Sequence, residues 1–171
     1  MKPFTKGVLL AVLQGAIVAS LGGKLLYDRE TRPRIWAKTV PFDPELPIRG
    51  RYVRLQLEVS APDVKPSSQN QIPLAVTLRV ENDKLIAEPS EKEFDPSEPH
   101  LRLARQRVQA QTAILWPPIA FFISEHVKDP SIRQAGEELW AEVTIPKKGP
   151  PRPIRLGVKK GHTPITPLDL N

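Results

Sequence analysis

The chain has 171 residues, 20 prolines, no cysteine and a net charge of +6. Without cysteine, disulfides and thiolate metal sites are excluded, and an exported compartment is permitted but not demonstrated. The charge is mild: Lys2, Lys6 and Lys24 supply half of it, no basic run exceeds two residues and aromatics are only 6 %, which together argue against a nucleic-acid partner.

Residues 1–6 form a short basic N terminus, placed in the cytoplasm. Residues 7–26 are a mostly apolar run broken only by Gln14, Ser20 and Lys24. As a helix these 20 residues span about 30 Å, one hydrocarbon core. A retained transmembrane anchor is the leading reading, with Lys24 snorkelling to the interface and Tyr27 and Trp36 suited to the headgroup belt. A signal peptide cleaved near Val18-Ala19-Ser20 is a second. A buried soluble helix is a third, opposed by the lack of any polar face. Orientation has two readings. Arg29, Arg32, Arg34 and Lys38 outnumber Lys2 and Lys6, which puts the following domain in the cytoplasm. A charged n-region ahead of an apolar run points instead to export.

Residues 27–38 read as a juxtamembrane segment, with the helix continuing to Thr31 before Pro33 interrupts it. Thr39–Phe42 reads as a short strand. Asp43-Pro44 and Leu46-Pro47 force turns, and Arg49-Gly50 allows a positive φ just before the clearest strand of the chain. From Tyr52 the residues alternate: Val53, Leu55, Leu57 and Val59 on one face, Tyr52, Arg54, Gln56 and Glu58 on the other. That is the pattern of a half-buried strand. Residues 74–81 repeat it, and Asn82-Asp83 predicts a hairpin turn into a strand at 84–87. Residues 88–100 are acidic and proline-rich, an exposed loop. Residues 101–113 predict one or two strands. Ile119–Ile123, apolar at every position, predicts a strand buried on both sides. Asp129-Pro130-Ser131 resembles a helix start, and Ile132, Ala135 and Leu139 share one helical face, so a short helix is expected there. Strands follow at 141–145 and 154–158.

The expected architecture is mainly β: a small antiparallel barrel or sandwich of seven or eight strands with one short helix, preceded by a transmembrane helix. The divisions are 1–6, 7–26, 27–38, a β-rich domain at 39–160 and a tail at 161–171.

These residues resemble a family of uncharacterised, membrane-anchored bacterial proteins named GDYXXLXY for the motif Gly-Asp-Tyr-x-x-Leu-x-Tyr. The family's Asp-Pro turn and Arg-Gly pair appear as Asp43-Pro44 and Arg49-Gly50, and the motif as Gly50-Arg51-Tyr52-Val53-Arg54-Leu55-Gln56-Leu57. A second segment, aromatic-Phe-Val-Pro-Glu-Gly, appears as Phe121-Phe122-Ile123-Ser124-Glu125-His126. Arg51 stands where the family has an acid, Leu57 where it has the final tyrosine, and His126 where it has glycine. The resemblance implies an anchored domain facing out of the cytoplasm, no established enzymatic activity, and association with polytopic membrane proteins.

Ser124-Glu125-His126 is not a local catalytic triad, because neighbours on a strand point to opposite faces. His100, His126 and His162 lack ligand spacing, so no metal or cofactor is assigned. Arg102, Arg105 and Arg107 read as a solvated strand face, and Trp116-Pro117-Pro118 as a rigid strand entry where a cis bond is open. Asp43, Arg49, Gly50, Tyr52 and Glu125 form the candidate binding cluster. Arg49 beside its glycine could clamp Asp43, or reach Glu125 if the two family segments adjoin. Three functions remain: a non-enzymatic accessory domain on the outer face of the cytoplasmic membrane, held in lipid by its anchor and bound to a polytopic membrane protein; a tethered envelope enzyme using Glu125 as acid or base; and a small-ligand module.

Overall fold

The computed structural model describes residues 3–41, 52–64, 73–91, 93–102 and 112–170. Asp43, Arg49 and Gly50 lie outside them, as do Arg105 and Arg107. The chain divides into two compact units, Met1–Arg32 and Pro33–Asn171.

The first unit is α1 (Pro3–Thr31). Its apolar side chains are exposed along its length, and it is long and apolar enough to cross a membrane. The last turn is closed locally. Thr31 Oγ1 donates to the Tyr27 carbonyl (2.8 Å), and Arg32 pairs with Asp28 (3.3 Å). Pro33 then ends the helix, because a proline nitrogen has no hydrogen to continue the ladder.

The second unit has ten strands among the described residues: β1 (Arg34–Pro41), β2 (Tyr52–Ser60), β3 (Leu74–Glu81), β4 (Lys84–Pro89), β5 (His100–Arg102), β6 (Thr112–Trp116), β7 (Ile119–Phe122), β8 (Glu137–Thr144), β9 (Arg152–Lys160) and β10 (Thr166–Pro167). β2 is the strand on which the others are assembled. Tyr52–Leu55 pair with β7, Leu55–Leu57 with β1 and Glu58–Ser60 with β6. The ring β2-β4-β3-β5-β6 closes on itself through the β2–β6 pairing, a five-stranded barrel, and β1 extends from β2 to β8, β9 and β10. Burial along β2 alternates as the sequence requires: Val53, Leu55, Leu57 and Val59 are buried and the residues between them are half-buried. The inward row meets Leu101, Leu115, Val143 and Leu156 in the core.

The mainly β architecture matches the expectation. Among the described residues the ladders are antiparallel with one exception, β2 beside β4 at Ser60 and Ile86. The Asn82-Asp83 turn is as expected, with both residues at positive φ (49° and 57°), the geometry that matches a hairpin's twist. The Trp116–Pro117 bond is cis.

Three expectations are corrected. No helix forms at 131–139. The Asp129 carboxylate accepts from Ser131 N (2.8 Å), Gln134 O accepts from Glu137 N (3.0 Å), and Gly136 sits at φ 85°. Turns therefore replace a helix. Leu139, counted on the helical face, is a core residue of β8, which pairs with strands on both edges. Second, Ile119–Ile123 is not buried on both sides. Its register with β2 sets Ile119 beside the inward Leu55, where it is buried, and Ala120 and Phe122 beside the outward Arg54 and Tyr52, where they are exposed. Third, the divisions shift. β1 begins at Arg34, inside the expected juxtamembrane segment, and carries core residues Ile35 and Ala37. The expected tail contributes β10, a bond from Leu168 N to Leu156 O (2.9 Å), and Leu168 and Leu170 packed on the core.

Candidate functional site

An antiparallel register decides which outward side chains meet. β2 and β7 set Tyr52 opposite Phe122 and Arg54 opposite Ala120. The two family segments therefore adjoin. The Tyr52 and Phe122 rings lie 6.0 Å apart at 57°, and the Arg54 guanidinium stands 5.8 Å from the Tyr52 ring centre. Both distances fall within the usual range for tilted aromatic pairs and for cation–π contacts. Phe122 is 76 % exposed. Tyr52 is half-buried, as its outward position on β2 requires.

Glu125 follows Phe122 by three residues, in an exposed turn. Three residues of chain reach at most about 10 Å, so Glu125 belongs to the same end of the β2–β7 pair as Tyr52. Ser124, Glu125 and His126 are all exposed. His100 is instead a core histidine. It is 3 % exposed, its Nδ1 is 2.9 Å from the Glu98 carbonyl, and Phe94 meets it edge-on at 5.0 Å. Among the described residues no group of three His, Asp or Glu side chains could hold a metal.

Two members of the patch were absent from the expected cluster. Arg54 was legible, since residues two apart on a strand share a face. Phe122 was not, because its position depends on a pairing between segments 70 residues apart in the register Tyr52↔Phe122.

The same outward face continues across β1, β8 and β9 as a second aromatic and ionic array. Arg155 stands 5.4 Å from the Trp36 ring centre and bonds Glu142, while Lys159 stands 5.2 Å from Trp140. Lys38 bonds Glu138, whose other oxygen accepts from Trp140 Nε1 (3.2 Å). The Lys38 hydrogen bond, partly offset by burial, holds the Glu138 carboxyl below the ordinary carboxylate range. Every one of these groups is engaged within the array, which makes it a clasp between strands.

Comparison with curated proteins and with solved structures finds no match. The family model of the GDYXXLXY protein matches residues 14–156, a span that begins within α1 and takes in both β2 with Tyr52 and β7 with Phe122. On that span, which is most of its length, the chain belongs to the GDYXXLXY family.

Proposed function

We propose that this protein is a membrane-anchored, non-enzymatic accessory domain on the outer face of the cytoplasmic membrane, which binds a polytopic membrane protein through the surface around Tyr52. The observation that supports this is the Tyr52–Phe122–Arg54 patch. An exposed aromatic beside tyrosine and arginine is the composition enriched at interface hot spots. Reactive groups are more often sheltered in clefts, and Glu125 stands in an exposed turn, which favours binding over an envelope enzyme.

In intact cells expressing Tyr52→Ala or Phe122→Ala, crosslinking to the membrane partner should fall about tenfold, the equivalent of roughly 1.4 kcal/mol. Melting should stay within about 0.5 kcal/mol of the parent for Phe122→Ala, a surface change. Unchanged crosslinking in both variants rejects the patch as the docking surface.

The anchor has its own test. The full-length chain should remain in membranes washed with alkaline carbonate, because α1 offers about 20 apolar residues to the hydrocarbon core. A shortened, soluble chain in the wash would establish signal cleavage instead.

A further inference from the structure

β3 uses its two edges unequally. Along one it pairs with β4 from Val76 to Glu81, and Ser90 N donates to Ala75 O (2.9 Å) to extend that ladder. The Ala75 backbone therefore faces β4. Val76 faces the other way, since its N–H donates to Pro99 O (3.1 Å). In an antiparallel strand these directions alternate residue by residue. Leu78 and Val80 thus aim their N–H and C=O groups at the edge that Val76 shares with Pro99. Pairing with β5 on that edge takes in only Leu74 and Ala75. Among the described residues no strand runs along Leu78 and Val80.

A groove of about 620 Å³ borders this edge, lined by Val76, Leu78 and Pro99. Ligand clefts span about 300–1,000 Å³. Exposed Lys147 and Lys148 line it, together with Glu93, Asp95 and Glu98. Gly149 N donates to Glu98 (2.8 Å), joining the segment after β8 to the one before β5. The Ser97 hydroxyl and N–H hold the Asp95 carboxyl below the usual carboxylate range, so it stays ionised. Open edges are normally blunted by a charged side chain. Here the candidate, Arg79, is engaged by Glu81 (3.1 Å) and by Glu88 on β4 (2.6 Å), away from the open edge.

We propose that this edge takes up an extended peptide segment as an added strand, carrying an acidic side chain for Lys147 and Lys148 and a basic one for Glu93, Asp95 and Glu98. Main-chain bonds at Leu78 and Val80 supply sequence-tolerant affinity, and the charges fix direction and register. The site uses none of the aromatic patch residues, so it stands or falls apart from the partner reading.

The test uses the full-length chain in detergent micelles and two end-blocked, fluorescein-labelled seven-residue peptides of alternating threonine and valine. One carries a lysine and a glutamate at opposite ends; the other carries lysine at both. The parent should bind the mixed-charge peptide about tenfold more tightly. Lys147→Glu with Lys148→Glu should reverse that preference without changing the melt. Amide exchange reads the edge directly: Leu78 and Val80 should exchange about 100-fold faster than Thr77 and Arg79 in the free chain, and slow when the mixed-charge peptide binds. Three results overturn the proposal: protection of Leu78 and Val80 already in the free chain, binding of neither peptide at about 1 mM, or a preference that survives the double substitution.

Discussion

Leu55→Ala should destabilise the β unit by about 2–5 kcal/mol, the range for removing a buried leucine side chain. Leu55 is fully buried, and its neighbours cannot close over the space. It faces Ile119 on one flank and Pro41 on the other, so β2 is held by strands on both sides where the cavity would open. The measurement is urea and thermal unfolding of a chain trimmed to residues 33–171. That chain should melt cooperatively with a β-type circular dichroism spectrum, and the variant should melt roughly 8–20 °C lower. A loss below about 1 kcal/mol would show that the inward row of β2 is not core. Where the trimming begins matters. A chain starting at residue 39 loses Ile35 and Ala37 and the whole β1–β8 register from Arg34 to Lys38, and should not fold.

Gly157→Ala should cost about 1–3 kcal/mol, for the opposite reason. A Cβ built on Gly157 would stand 2.7 Å from Ile165 Cγ2 and 2.9 Å from both Cη2 and Cζ3 of Trp36. The indole is a rigid ring. It cannot slide away without giving up its contact with Arg155. The space itself demands glycine here. A double-mutant cycle identifies the cause: in a Trp36→Ala background the cost of Gly157→Ala should fall by at least about half, because contacting residues couple. Equal costs in both backgrounds would place the strain elsewhere.

The sequence made some of this legible and hid the rest, for reasons that differ by element. β2 and the Asn82-Asp83 hairpin were readable because their signals are local. Alternation over nine residues has a single interpretation, and a two-residue turn flanked by alternating strands nearly as few. The false helix at 131–139 had a local signal too, a capping residue and three apolar positions. It yielded because residues from Glu137 onward gain two ladders as β8, and tertiary pairing outweighs weak propensity. β7 misled in another way. Apolar composition cannot separate a strand buried on both faces from an edge strand whose aromatic faces solvent. The Tyr52–Phe122 contact and the Trp36, Trp140, Arg155 and Lys159 array were hidden for one reason. Each depends on a register between strands, distant in the chain for Tyr52–Phe122 and Trp36–Arg155 and between neighbours for Trp140–Lys159, which no spacing rule encodes.

The order in which β1 finds its neighbours sets a timetable. β1 can pair with β2 early, but its other edge waits for β8, where Thr39 meets Leu139 across 100 residues of chain. At about 5–20 residues per second of synthesis, that edge stays open for roughly 5–20 s in every new molecule. An open edge attracts other strands. The vulnerable period of this protein's life is thus the interval before its eighth strand arrives, and variants that slow β8 should show up first as lost yield, ahead of any fall in the stability of molecules already folded.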